Sequence, residues 1–397
     1  MRVPDVLGYR LRPSEWSRGR RVLGACIGAY FGVRFCQVLV GPVVPGVTAR
    51  FSVSRGGVGL ALTLMWAVYA LVQLPSGALA DRVGGRSAVL VALGITFLAA
   101  LGMAVAPGFV VFALAVAVLG IGAGLYYNPA TMLLARASDG VGETIGLHRI
   151  GGQVAGVVAP VAVAVVEPLY GWRTSLALGA TLVAVTLLAF RRSVRPMGAG
   201  GDSPAESLNP KLAMSLLSSA HARTTTLMMT LHEFTGLAAM AFLPTALIES
   251  HDLGDGTANL LFAAFFAVAA VTQPIAGRLS DAWGRDPTVV ALAAAGALGF
   301  GGLAVGESAI VAGGAVVLAG ASMSGTPVIQ SRMLDGLADG DEGTGFGLFR
   351  TTYLLVGGTS TAIVGTIADV ANWDAALGLL AGIFVVLLVL AGVAGEP

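Results

Sequence analysis

Twelve times along this chain, an apolar run of about twenty residues bounded by glycine, proline or charge is long enough to cross a bilayer as a helix. The runs cover about 22–47, 56–79, 87–106, 109–134, 144–167 and 173–190, then 224–248, 257–279, 288–306, 308–331, 344–368 and 375–394. Such a pattern leaves little for a water-facing surface. Of the 397 residues, 56% are apolar and 11% are charged, against about 25% charged in an ordinary soluble domain. This excludes a water-soluble enzyme and predicts an all-α integral membrane protein.

The least apolar stretch after the first span, Arg191 to Arg223, contains Gly198-Ala199-Gly200-Gly201-Asp202-Ser203-Pro204, a flexible linker by composition. It divides the chain into a short N-terminal segment (1–21), a first half (22–190), the linker (191–223) and a second half (224–397). The charges orient these pieces. Nineteen of the 23 Lys and Arg fall on one side when the N-terminus is placed in the cytoplasm, three (Arg50, Arg55, Arg173) fall on the other, and Arg34 lies within a span. Positive residues mark the cytoplasmic side, so a multi-pass protein of the cell membrane with both termini cytoplasmic is expected. The basic start before Val22 is not a signal peptide, because the run that follows is too long and lacks a small-residue cleavage site.

The halves repeat. Gly77-Ala-Leu79-Ala-Asp81-Arg-Val-Gly84 recurs as Gly277-Arg-Leu279-Ser-Asp281-Ala-Trp-Gly284, and Gln73 recurs as Gln273, all at an offset of 200. Gly146-Leu147-His-Arg149 recurs as Gly347-Leu348-Phe-Arg350, and Trp172 as Trp373, at 201; Pro45 matches Pro244 at 199. The fold expected is twelve transmembrane helices in two pseudo-symmetric six-helix bundles, with a substrate route between them.

Gly77-x-Leu79-x-Asp81-Arg82-x-Gly84-Gly85-Arg86 resembles the signature loop of the major facilitator superfamily, and Gly277 to Arg285 resembles its weaker second copy. Gly171-Trp172-Arg173 and the half-repeat extend the resemblance over nearly the whole chain. The resemblance implies a secondary transporter in which Gly77, Asp81, Arg82, Gly84, Arg86, Gly277, Asp281 and Arg285 belong to a conformational latch. It further implies that Asp81 meets the start of span eleven near Arg350 and Asp281 meets the start of span five near Arg149. Gly77 is expected to allow close helix contact, and Gly84 and Gly85 a tight reversal. Gly152, Gly156 and Pro160 resemble in part the signature of proton-driven drug antiporters, with Ala159 where that pattern has glycine. Gly32-Val-Arg34-Phe and Phe51–Arg55 resemble carboxylate-transporting branches.

Ionisable groups inside the spans are the candidate site, because a charge at mid-bilayer costs about 2.5–3.5 kcal/mol even on lenient scales. Arg34 and Glu233 occupy matching places at an offset of 199 on spans one and seven, which the resemblance places at the central cavity. Tyr30 and Gln37 share the face of Arg34 at i−4 and i+3. His232 adjoins Glu233, and one of these two is the expected proton-responsive group. Tyr126, Tyr127, Asn128 and Tyr353 join the substrate-binding candidates, with Trp66, Tyr69, Gln73 and Gln330 behind them. Pro129 and Pro327 are expected to kink spans four and ten at matching points.

No Walker loop, metal-ligand spacing or catalytic triad is visible, and Cys26 and Cys36 form no redox or metal motif. No enzyme activity, cofactor or metal is expected. A net charge of +1 offers no basic field for nucleic acid. The reading is a secondary active transporter working by alternating access, monomeric, in contact with lipid, and exchanging protons. Arg34 favours a small organic anion or zwitterion; Glu233 with aromatic neighbours is the argument for efflux of lipophilic cations or drugs. A non-transporting sensor or scaffold is the alternative outside transport.

Overall fold

A computed structural model describes residues 13–138, 140–195, 219–336 and 342–394. Most of the N-terminal segment (1–12) and most of the linker (196–218) lie outside the described residues. Everything regular in the described residues is helix, and twelve segments are long and apolar enough to cross a membrane. The first half comprises α1 (Pro13–Leu39), α2 (Val44–Phe51), α3 (Arg55–Val83), α4 (Gly85–Val105), α5 (Phe109–Ala137), α6 (Val141–Tyr170) and α7 (Trp172–Ser193). The second comprises α8 (Ala220–His251), α9 (Asp255–Trp283), α10 (Arg285–Val305), α11 (Ala309–Ser322), α12 (Gly325–Asp335), α13 (Glu342–Gly358), α14 (Ser360–Val370) and α15 (Trp373–Ala394). Helices are apolar on their outer faces as well as within: Leu60, Leu98, Val110, Val305 and Ile310 are exposed, as a lipid environment permits.

Three expected spans are not single helices. The first run, read as continuous from 22 to 47, ends as a helix at Leu39 and turns through residues 40–43 before α2 begins. Gly41-Pro42 supplies the break, and Pro45 sits in the first turn of α2, where its missing N–H costs nothing. Pro45 and Pro244 are therefore not structural equivalents: Pro244 lies inside the uninterrupted α8. Span ten breaks at Met323-Ser324, just ahead of Pro327, whereas α5 continues through Pro129. The two prolines thus act differently. Span eleven breaks at Thr359, after Gly357-Gly358.

The helix ends sort onto two faces. The linker face carries Gly84, Ser138, Gly140, Gly284 and Gly336; the opposite face carries residues 40–54, Gly171, residues 252–254 and residues 371–372. At the two signature turns the chain reverses through single glycines, Gly84 (φ 81°) and Gly284 (φ 99°), at the same repeat offset. This region of φ with extended ψ is open essentially to glycine alone. Gly284→Ala is expected to cost about 1–3 kcal/mol, read as a fall in thermal midpoint; an unchanged midpoint would contradict the strain argument.

Within each half, glycine brings backbones close, as membrane helices require when burial of apolar area no longer drives association. Gly120 of α5 lies against the Met65 backbone of α3 and leaves no room for a Cβ. Of the twelve spans, α8 is the most enclosed, with 72% of its apolar window buried, against 28% for α9. That places Glu233 and His232 on a helix surrounded by protein.

Candidate functional site

The 100° step between neighbours on a helix separates His232 from Glu233. His232 is buried inside the second half, its ring edge-on to Phe384 and packed over Gly325. Glu233 is half-buried, and its Cβ faces Gly357 of α13. Thr326 of α12 joins them: its hydroxyl lies 3.0 Å from His232 Nε2 and donates to Glu233 Oε1 at 3.5 Å. His232 thus stands behind Glu233 rather than beside it.

Arg34 Nη1 donates to Gln37 Oε1 at 3.0 Å, and Nη2 lies 3.9 Å from the sulfur of Met240 on α8, in the other half. Among the described residues no ion pair joins Arg34 to Glu233. The carboxylate instead lies in the fields of two guanidiniums, Arg350 of α13 more strongly and Arg34 less so.

Arg350 sits differently from the latch anchor that its place near a helix end implied. Its guanidinium carbon lies 4.8 Å from the ring centre of Tyr127, and Nη2 donates to Tyr69 Oη at 3.3 Å. Both tyrosines belong to the first half, so Arg350 reaches across the interface. Arg34, Tyr30, Tyr69, Tyr127, Glu233, Gln330 and Arg350 are all half-buried, and Tyr353 is buried with its hydroxyl 3.4 Å from Gln330 Nε2.

Two expected binding residues point elsewhere. Tyr126 is fully buried; its hydroxyl donates to the Cys26 carbonyl at 2.7 Å and meets His148 Nε2 at 3.0 Å. Asn128 donates to the Gln73 carbonyl and the Ser76 hydroxyl, tying α5 to α3 beside Pro75. Both hold the first half together. Trp66 is buried against Gly358.

On the opposite face the halves are closely joined. Arg55, at the start of α3, ion-pairs with Glu249 of α8, its Nε lying 2.9 Å from Oε2, and with Asp369 of α14 at 3.2 Å. Asp369 also accepts the backbone N–H groups of Arg55 (3.1 Å) and Gly56 (2.7 Å), where the α3 N-terminus favours negative charge. Trp373 Nε1 donates to Glu249 at 2.7 Å. About two turns deeper, Thr63 meets Thr361 at 2.9 Å and donates to the Gly358 carbonyl at 3.0 Å, while Thr361 donates to the Gly59 carbonyl at 2.8 Å. Away from this face, past mid-depth toward the linker side, Gln153 and Gln273 also meet across the halves at 2.9 Å, between α6 and α9.

Among the described residues of the linker face neither of the two crossings the resemblance implied is seen, and the side chains at the very start of span eleven lie outside them. Asp281 pairs with Arg285 of its own half at 2.6 Å, and Arg285 also reaches Asp335 at 2.9 Å. Arg149 is exposed and has no ion pair with Asp281. Asp81 is half-buried, with Oδ1 lacking a hydrogen-bond partner, and Arg82 is exposed. Arg86 closes the C-terminus of α7, donating to the carbonyls of Val194 (2.6 Å) and Arg191 (2.9 Å), where a cation suits the helix dipole. Gly77 and Gly277 face open space, so neither supports close helix contact here. Gly152 and Gly156 instead receive the rings of Tyr30 and of Phe266, the latter from the other half.

Two six-helix bundles, tied at one face and lined by half-buried ionisable and aromatic groups between them, define an integral membrane protein of the transporter class. The chain belongs to the Major Facilitator Superfamily, whose sequence profile matches residues 26–232 and again 225–395, one copy on each half. Solved structures share the fold. A point mutant of the nucleoside transporter NupG superposes with a TM-score of 0.82 at 12% identity, covering 95% of this chain and 100% of its own. A bacterial homologue of the human lysosomal transporter Spinster, inward-facing and occupied, gives 0.79 at 16% identity, covering 94% and 96%. A D-xylose-proton symporter gives 0.76 at 15%, covering 95% and 97%. Family and structural neighbours point to a transporter rather than an enzyme.

Proposed function

We propose that this chain is a secondary active transporter that moves a small organic anion or zwitterion by alternating access, coupled to protons. One observation carries the reading: two arginines, Arg34 against Met240 and Arg350 against Tyr69 and Tyr127, each reach across the interface between the halves, in the field of a single carboxylate, Glu233. Two guanidiniums against one carboxylate leave that interface positive, and guanidinium is the side chain best shaped to hold a carboxylate. Glu233, with His232 behind it through Thr326, is the proton-exchanging group of this proposal, and a D-xylose-proton symporter of the same fold supports such coupling. With both termini in the cytoplasm of a cell-membrane protein, the closed face is extracellular and the conformation is inward-facing. Asp281, paired within its own half rather than across the interface, agrees with that state. The working unit is a monomer.

The test is the thermal midpoint of the purified protein against carboxylates, amino acids, sugars and lipophilic cations at pH 6 and pH 8. A ligand that binds only the folded state raises the midpoint. A rise with carboxylates that shrinks in Arg34→Ala is expected. A rise confined to lipophilic cations and abolished by Glu233→Gln would replace this reading with efflux.

A further inference from the structure

Resting on the anion reading, we infer that Arg350 is the primary anchor of the substrate carboxylate and that the site selects planar, aromatic or conjugated acids. Arg34 and Arg350 differ in how much of their hydrogen-bonding capacity is already used. Arg34 is held by Gln37 Oε1 and rests on Met240. The Arg350 guanidinium carries five N–H donors, yet among the described residues it makes one hydrogen bond, the 3.3 Å contact to Tyr69. Its Nε is shut from solvent without a partner. A desolvated cation whose donors are mostly unbonded is costly, more so than a neutral group in the same position. Glu233 lies in its field without forming an ion pair. An incoming carboxylate relieves most of this, accepting from the Nη1/Nη2 fork and supplying the counter-charge that the guanidinium lacks.

The surroundings set the shape of what arrives. The guanidinium lies over the Tyr127 ring, its carbon 4.8 Å from the ring centre. Tyr30 meets Tyr127 edge-on at 5.9 Å, and Tyr69 meets Trp66 edge-on at 5.4 Å. Tyr69, Tyr353, Tyr127 and Tyr30 all lie within the electrostatic reach of Arg350. These rings offer faces and edges to a flat body beside the fork, and the hydroxyls of Tyr69 and Tyr353 offer partners to a ring substituent. Arg350 also touches both halves, so a carboxylate bound there contacts the two parts that move relative to each other.

The experiment is calorimetric titration of the full-length protein with benzoate, with its uncharged isostere benzamide, with non-planar cyclohexanecarboxylate and with tetraphenylphosphonium. Benzoate is expected to bind about fivefold more tightly than cyclohexanecarboxylate, the size of a modest aromatic contact, and benzamide not measurably. Arg350→Gln is expected to weaken benzoate about 100-fold and Arg350→Lys, which keeps the charge and loses the fork, about tenfold. Arg34→Gln is expected to cost about tenfold, less than Arg350→Gln. Should Arg350→Gln fail to fold, the Lys variant carries the test alone: benzoate affinity equal to the parent overturns the inference. Carboxylate binding that depends on Arg34 but not on Arg350 overturns the anchor and leaves the anion reading standing. Equal affinity for benzoate and cyclohexanecarboxylate overturns the planar selectivity. Binding of tetraphenylphosphonium with no carboxylate bound overturns the anion reading together with the anchor.

Discussion

Gly59→Leu is expected to hold the closed face open and to shift the open-to-closed ratio by about 100-fold. A Cβ at position 59 of α3 would fall on the Thr361 backbone of α14, in the other half. Overpacking usually costs about 1–3 kcal/mol because side chains and backbone adjust. Here the obstacle is the backbone carbonyl of Thr361, inside a helix whose Thr361 hydroxyl is itself bonded to the Gly59 carbonyl and to Thr63, so the upper end applies, and about 3 kcal/mol is about a 100-fold change in an equilibrium. The strain vanishes when the halves separate. The variant therefore keeps its fold and its bundles but not its seal. Spin labels at the exposed Ala49 and Ala371, one on each half at this face, report the separation: a lengthened distance is expected, and the parental distance would contradict the account.

Arg55→Gln acts on the same face through charge. In the closed state Arg55 answers two carboxylates, Glu249 and Asp369, which its removal leaves to repel each other. All three side chains are about a fifth to a third exposed, so each pair by itself is worth little. The network is nevertheless tightened by Trp373 and by the α3 N-terminus. About 1–2 kcal/mol, roughly a fivefold to thirtyfold shift toward the open face, is expected. High salt should shrink the difference between variant and parent, because it screens partly exposed charges. A difference that is independent of salt would mean that packing, not charge, holds this face. Arg55→Glu combined with Glu249→Arg should restore part of the closure.

Spans and bundles were legible in one dimension, because an apolar run of bilayer length and a repeat at a fixed offset need no neighbours to be seen. The breaks were less so. Gly41-Pro42 carries its own signal, yet the first run remains apolar across it, and apolarity alone reads through a buried turn. Thr359 breaks span eleven with no proline at all.

Charge within an apolar run drew attention to Arg34 and Glu233, and the structure places both in the interface. Tyr126 and Tyr127 could not be separated from sequence, since which of two neighbours faces the cavity depends on the rotation of α5 against α1 and α6. Arg350 was misplaced for a related reason. Distance along the chain from the last polar residue says how near a helix end it lies, and says nothing of Tyr69 and Tyr127 crossing there. The Arg55 clamp joins residues 194 and 314 positions apart, and its formation depends on the conformational state. Its only trace in sequence was Arg55 as one of three arginines on the side with few cations.

The most direct test of the central claim follows both faces at once while ligand is added. Spin labels at Ala49 and Ala371 report one face, and labels at the exposed Ala135 and Leu334 report the other. Benzoate bound between the halves is predicted to change the distance populations at the two faces in opposite directions, and Arg34→Ala with Arg350→Gln together to abolish the response. Distances that ignore every carboxylate but answer to tetraphenylphosphonium would contradict the proposed anion carrier.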